Sequence, residues 1–181
     1  MIGRRTLTTV VGTLVLMLIG ITAAADPKST AGRAKLSGTV ADKAVTDVPA
    51  LDRKGEDWPC FLGPLGTGVC SETNWLKTWP EDGLKTAWSK RVGTGYSAPS
   101  VMGNRLVVFH RPRGNEDIVD CWRADTGEPL WQFTYVTEYE DRYAYNNGPR
   151  CTPLLTKTHV FTLNPEGKLF CLDLVTGQQV W

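Results

Sequence analysis

The feature that most constrains this chain is an internal repeat. The segment Cys121–Trp131 recurs as Cys171–Trp181, 50 residues further along the chain. Both copies open on cysteine, carry a Thr-Gly pair at the same place and close on tryptophan. A unit of this kind cannot bury its apolar face alone, so successive units must stack against one another.

Each copy closes a set of four predicted strands separated by turn residues. The first set is Ser97–Val101, Arg105–Phe109, Ile118–Trp122 and Leu130–Phe133, and the second is Cys151–Leu155, His159–Leu163, Lys168–Leu172 and Gln179–Trp181. A period of roughly 40–50 residues with this content is typical of β-propeller blades. We therefore predict an all-β fold of four-stranded antiparallel blades. A further strand at Lys85–Val92, carrying Trp88, is predicted ahead of them.

The distribution of aromatic residues divides the chain. Every Trp, Tyr, Phe and Cys stands at or after Trp58, so residues 58–181 are predicted to form the folded domain. Residues 26–57 have no aromatic side chain and too little apolar surface to offset the entropy of ordering, which predicts a flexible linker.

The first 25 residues have the pattern of a secretory signal peptide. Arg4 and Arg5 precede an apolar run from Val10 to Ile21, and three alanines follow it. An uncleaved membrane anchor is the alternative, because the apolar stretch nearly reaches the span of about 20 residues that a bilayer requires. We expect export to the periplasm or cell envelope, by either the general or the twin-arginine route.

The repeated segment resembles the tryptophan-docking motif of pyrroloquinoline-quinone (PQQ)-like propeller repeats, Ala-x-Asp-x-x-Thr-Gly-x-x-x-Trp. The second copy matches at Asp173, Thr176, Gly177 and Trp181, and departs in having cysteine at its first position. The first copy matches at Thr126, Gly127 and Trp131, with Arg123 in place of the aspartate. The resemblance extends over Trp58–Trp181 and is to exported bacterial proteins of the PQQ-like type.

The resemblance implies that the matched residues are structural and join neighbouring blades. These structural residues are Trp88, Thr126, Gly127, Trp131, Thr176, Gly177 and Trp181. Propellers typically close with about 4–8 blades, whereas this chain has two docking motifs and a leading segment. We therefore expect an incomplete propeller of about two blades, the N-terminal fragment of a longer protein.

The cysteines bear on both redox chemistry and cofactors. Cys60 and Cys70 lie in one Gly/Pro-rich loop and are the candidate disulfide, while Cys121 and Cys171 are expected to be small buried hydrophobes. In the family that this chain resembles, the PQQ-dependent dehydrogenases bind the quinone beside a disulfide between two adjacent cysteines. A calcium ion in the same site is held by Glu and Asn. The chain has no Cys-Cys pair, so we expect neither cofactor here and no catalytic residues. It also has no Cys-x-x-Cys and only two histidines, His110 and His159, at non-equivalent places, so we expect no zinc site.

The most distinctive polar stretch is Tyr135–Gly148, where carboxylates alternate with tyrosines. It suggests calcium or a sugar-like ligand at the propeller face. The favoured alternative is a solvated connection between blades whose tyrosines cover the core. The formal net charge of +1 gives no electrostatic reason to expect nucleic acid.

Three functions remain open from the sequence. The first is an exported, non-catalytic binding or scaffolding propeller whose partner is a protein or small molecule at the propeller face. The second is the N-terminal part of a PQQ-dependent quinoprotein dehydrogenase whose PQQ and calcium site lies in other blades. The third is a sensor domain of a signalling protein, which the signal peptide partly argues against.

Overall fold

The computed structural model describes residues 55–73 and 75–181, and within them the chain forms seven strands and no helix. The strands are β1 Ser100–Met102, β2 Arg105–His110, β3 Glu116–Arg123, β4 Pro129–Val136, β5 Leu154–Leu155, β6 His159–Leu163 and β7 Leu169–Asp173. The predicted all-β, antiparallel fold is confirmed. Over the same residues, no helix has the length and apolar character to cross a membrane. The predicted signal peptide and nearly all of the predicted linker lie outside the described residues.

The first repeat forms one antiparallel sheet with the order β1-β2-β3-β4, as predicted. β1 and β2 are joined by a two-residue hairpin, in which Gly103 adopts a φ of 55°. Such tight hairpins need a positive φ that glycine adopts without a steric cost. On β4, Trp131, Phe133 and Tyr135 alternate onto one face and are all buried.

The second repeat forms a three-stranded sheet, β5-β6-β7, and not the predicted four-stranded one. The predicted last strand, Gln179–Trp181, makes an isolated bridge from Gln179 to Leu172. Its remaining backbone bonds all go to Cys171, whose N–H donates to Trp181 O at 3.0 Å and whose O accepts from Val180 N at 2.8 Å. Bonds concentrated on one partner residue do not make the regular ladder that defines a strand.

The predicted strand at Lys85–Val92 is also wrong. This segment has no regular structure, and the first pairing after it is a single bridge between Thr94 and Arg111. Period-two alternation alone does not make a strand, because its N–H and C=O groups need a neighbouring strand to bond. Trp88 is held instead by its side chain, as described below.

The core lies between the two sheets. Its buried residues are Val107, Phe109, Val119, Cys121, Leu130, Trp131, Phe133, Tyr135, Leu155, Val160, Leu172 and Leu174. The ring of Phe170 on β7 packs against two rings of β4, with its centroid 5.2 Å from that of Phe133 and 4.6 Å from that of Tyr135. Burying each large apolar side chain contributes about 1.5–3 kcal/mol, so the contact between the sheets is a main source of stability.

A short leading segment ties the first strands of the two sheets together. Trp58 exchanges two backbone hydrogen bonds of 2.9 Å with Val101 of β1, and Leu155 of β5 donates its N–H to Pro59 O at 2.7 Å. Next to this segment, Cys60 donates its thiol hydrogen to Gly63 O at 3.1 Å. Cys60 and Cys70 are free thiols in the structure, so the disulfide between them is not formed here and its formation on oxidation stays a prediction.

Candidate functional site

Two tryptophans make equivalent hydrogen bonds in successive repeats. The indole N–H of Trp88 donates to the backbone oxygen of Ala124 at 3.1 Å. The indole N–H of Trp131 donates to the backbone oxygen of Leu174 at 3.0 Å. Each tryptophan therefore contacts the turn that closes the third strand of the following sheet.

The glycine of each Thr-Gly pair allows its tryptophan to approach. Gly127 and Gly177 have φ values of 71° and 72°, in the left-handed region that other residues rarely adopt. A Cβ on Gly127 would lie 2.8 Å from the Trp88 ring, and one on Gly177 would lie 2.5 Å from the Trp131 ring. Both the backbone conformation and the close contact thus require glycine.

The two turns are built differently around their threonines. In the second, Asp173 Oδ1 accepts hydrogen bonds from the Thr176 hydroxyl at 2.9 Å and the Thr176 backbone N–H at 2.8 Å. Burial alone would raise the pKa of Asp173, but these bonds outweigh it and the pKa is lowered. In the first, Arg123 replaces the aspartate and pairs with Asp125 at 2.9 Å. Thr126 there only accepts a bond from the N–H of Glu128 at 3.3 Å.

The remaining residues of the repeated segments are Trp181 and the two cysteines that open the copies, Cys121 and Cys171. Trp181 is 53% exposed, in contrast to 5% for Trp131, and its ring centroid lies 6.1 Å from that of Phe161. Cys121 and Cys171 are buried, as predicted. Burial raises the pKa of Cys121 to about 12 and also raises that of Cys171, which disfavours the thiolate form of both cysteines.

A buried ion pair lies at the end of the first sheet where β2 stops and β3 begins. Arg111 Nε donates to Asp117 Oδ1 at 2.8 Å, and the two side chains are 5% and 0% exposed. The remaining guanidinium nitrogens donate to Tyr139 O at 2.9 Å and to the Thr137 hydroxyl at 3.3 Å. The hydroxyl of Tyr135 donates to the other oxygen of Asp117 at 3.3 Å. This pair therefore holds the start of the polar loop against the sheet.

The turn between β6 and β7 extends this network to the second sheet. Glu166 accepts hydrogen bonds from the Thr137 hydroxyl at 2.9 Å and the Glu138 backbone N–H at 2.7 Å. Its other partners are Lys168, at 2.8 Å, and Asn164, at 3.3 Å. Burial tends to raise the pKa of Glu166, but Lys168 and the hydrogen bonds dominate and lower it to about 2.

Replacing Glu166 by glutamine should therefore make stability less dependent on pH. Because the folded-state pKa is about 2 and the ordinary value is 4.5, the charge stabilises the fold above pH 4.5. That contribution is lost as the pH falls towards 2. At neutral pH we expect Glu166→Gln to cost about 1–2 kcal/mol, since the partly exposed Lys168 weakens the ion pair through solvent screening. Urea denaturation at several pH values measures this, with the exposed Glu81→Gln as control. An unchanged pH profile in Glu166→Gln would contradict it.

The polar loop predicted as the most distinctive stretch borders a cavity of about 260 Å³. The lining residues are Arg111, Gly114, Asn115, Thr137, Glu138, Tyr139, Glu140 and Asn147. Just after the loop, Arg150 lies over two tyrosines, 5.4 Å from the ring centre of Tyr96 and 5.7 Å from that of Tyr139. Arg150 also donates to the Tyr139 hydroxyl at 3.0 Å, so the far end of the loop is held by a cation–π contact.

The expectation that the loop tyrosines cover the core holds for only one of them. Tyr135 is 6% exposed, whereas Tyr143 and Tyr145 are 72% and 79% exposed. Neither Arg111 nor Asp117 was anticipated from the sequence. The available signal was their position, because both lie between the second and third predicted strands, Arg105–Phe109 and Ile118–Trp122.

The described residues do not provide a calcium site of the kind that quinoprotein dehydrogenases use, a site that the dehydrogenase alternative assigns to other blades. No group of three or more His, Cys, Asp or Glu side chains within residues 55–73 and 75–181 is placed to hold a metal ion. The buried Asp117 is already used by Arg111, Tyr135 and Asn164. No mechanistic step through either cofactor follows from these residues.

The fold defines a class of protein. It is an all-β chain of stacked antiparallel sheets, in which a tryptophan that precedes or ends one repeat packs against a turn of the next. No protein-family model matches the chain, and no curated protein matches it. Among solved structures it is similar to a europium-containing methanol dehydrogenase, at 15% identity and a TM-score of 0.31. That match covers 54% of this chain and 26% of the other, so this chain spans about a quarter of that protein's length.

Proposed function

We propose that this chain is part of an exported PQQ-like β-propeller that acts as a non-catalytic binding module. The repeated contact of Trp88 with the turn at Gly127, and of Trp131 with the turn at Gly177, carries the proposal. Two equivalent contacts between successive repeats are what a propeller needs in order to add one blade to the next. In this interpretation both Thr-Gly segments are tryptophan-docking motifs, and Trp181 serves a further turn of the same kind.

The ligand-binding surface in this proposal is the end of the sheets that carries the polar loop. The cavity there is lined mainly by polar groups, as expected for a site that fixes a ligand by hydrogen bonds. Arg111 of the lining is already engaged with Asp117. Glu166, which accepts hydrogen bonds from the lining residues Thr137 and Glu138, is paired with Lys168. Groups held in internal ion pairs favour a role in shaping a binding surface over a role in proton transfer. The partner is a protein or small molecule that reaches this surface in the periplasm or cell envelope.

Adding PQQ and calcium chloride to the full-length propeller protein, with all of its blades, tests the proposal against the dehydrogenase alternative. We expect no change in the quinone absorbance, no shift in melting temperature and no dye-linked oxidation of alcohols or sugars. Quinone-dependent dye reduction would overturn the non-catalytic assignment. Fractionation of expressing cells tests the location: recovery of uncleaved protein in the cytoplasm would contradict export.

A further inference from the structure

We propose that the polar loop and its cavity bind a neutral oligosaccharide, with one sugar unit in the cavity and the adjoining units on Tyr143 and Tyr145. This rests on the proposed binding function and assigns it a ligand class. Two observations carry it independently: a pair of exposed aromatic rings, and a small polar cavity bordered by the same loop.

Both rings of the aromatic pair are highly exposed. Tyr143 and Tyr145 are 72% and 79% exposed, and their ring centroids are 6.2 Å apart with planes inclined by 30°. Neither ring contributes to the core, in contrast to Tyr135. Tyrosine has an apolar face and a polar hydroxyl, which suits it to the C–H face and hydroxyl rim of a sugar ring. The pair therefore provides a stacking surface for a ligand with both properties.

The loop holds these rings on an ordered backbone. The carboxylate of Asp141 accepts hydrogen bonds from the N–H of Tyr145 at 3.0 Å and of Asn146 at 3.2 Å. Asp141 O accepts from the N–H of Ala144 at 2.8 Å, and Asn147 Oδ1 accepts from the N–H of Asp141 at 2.8 Å. A recognition loop ordered before binding loses less conformational entropy when the ligand arrives.

The cavity has the size and composition for one polar ring. Its volume of about 260 Å³ lies below the range of about 300–1,000 Å³ typical of sites that enclose a whole small ligand. A longer ligand must therefore extend out of the cavity. The lining residues Glu140 and Asn147 bracket Tyr143 and Tyr145 in the chain, so the tyrosines lie on the loop that forms the cavity wall.

Charge selects a neutral sugar over an acidic one. The guanidinium of Arg111 is neutralised by Asp117 at 2.8 Å. The carboxylates among the lining residues are those of Glu138 and Glu140, both exposed. Carboxylates accept hydrogen bonds from hydroxyl groups and repel other carboxylates. A uronic acid chain is thus disfavoured, and a neutral chain of hydroxyl-bearing rings is favoured.

Titration calorimetry of the full chain with cellohexaose, maltohexaose and chitohexaose tests this inference, with oligogalacturonate as the acidic comparison. We expect at least one neutral hexasaccharide to bind. The double variant Tyr143→Ala/Tyr145→Ala should bind it about tenfold more weakly, because both stacking contacts are lost. Glu140→Gln should weaken binding several-fold. The control Trp79→Ala removes an aromatic ring that is 66% exposed but outside the loop, and it should bind as the unaltered chain does.

Three outcomes would overturn the inference: no neutral hexasaccharide binds, the double variant binds as tightly as the unaltered chain, or oligogalacturonate binds best. A protein partner that requires Tyr143 and Tyr145 while all sugars fail would identify the surface as a protein interface, and this also overturns it. A different result, PQQ-dependent dye reduction, would contradict the proposed non-catalytic binding function, so the two proposals can fail independently. Equal melting temperatures of the variants show that the fold is retained.

Discussion

Replacing Trp131 by alanine is expected to lower the free energy of unfolding by about 3–5 kcal/mol. The ring is 5% exposed, belongs to the core between the sheets and donates its N–H to Leu174 O at 3.0 Å. Its removal leaves a cavity and an unpaired carbonyl oxygen at the contact between the two repeats. Guanidinium denaturation followed by far-ultraviolet circular dichroism measures the loss.

The controls separate this contact from general effects of substitution. Trp79→Ala removes an exposed tryptophan and should change stability by about 0.5 kcal/mol or less. Gly177→Ala and Gly167→Ala both place a Cβ on a backbone with positive φ, at a cost of about 1–2 kcal/mol. Only the Cβ at Gly177 would meet a ring, 2.5 Å away, which adds about 1–3 kcal/mol. Equal losses in the two glycine variants would contradict the role of Trp131 at the turn.

Replacing Asp117 by alanine should cost about 3–5 kcal/mol, because it leaves the buried guanidinium of Arg111 without its counter-charge. The two side chains are 5% and 0% exposed, and their atoms Nε and Oδ1 are 2.8 Å apart. The variant also removes the acceptor for Tyr135 and for Asn164. The same denaturation experiment measures the effect.

Two further variants make this prediction specific. Asp125→Ala breaks the partly exposed pair with Arg123, 2.9 Å long, and should change the stability far less than Asp117→Ala does, because solvent screens this pair. In the double variant Arg111→Met/Asp117→Leu both charges are absent, so much of the loss should be recovered. A loss in Asp117→Ala no larger than that in Asp125→Ala would contradict the importance of the buried pair.

The sequence alone predicted most of the strands of the two repeats. Apolar alternation placed β2, β3, β4 and β6 close to their observed positions, because side-chain period reflects which face of a strand is buried. It failed at Lys85–Val92 and Gln179–Trp181, where alternation is present but a continuous partner strand is not. Strand formation depends on that partner, which a single segment does not reveal.

The repeat of cysteine, Thr-Gly and tryptophan could be identified from the sequence alone. A turn that needs a positive φ requires glycine, and a contact that needs a large ring requires an aromatic residue, so both recur at fixed positions. The pairing of Trp131 with the turn 43 residues ahead, and not with its own turn, was decided by the tertiary structure. So were the buried Arg111–Asp117 pair, the link from Thr137 to Glu166 and the exposure of Tyr143 and Tyr145. Those features depend on which loops meet when two sheets stack. Contacts between residues that are distant in sequence follow no regular spacing along the chain, so the sequence pattern does not predict them.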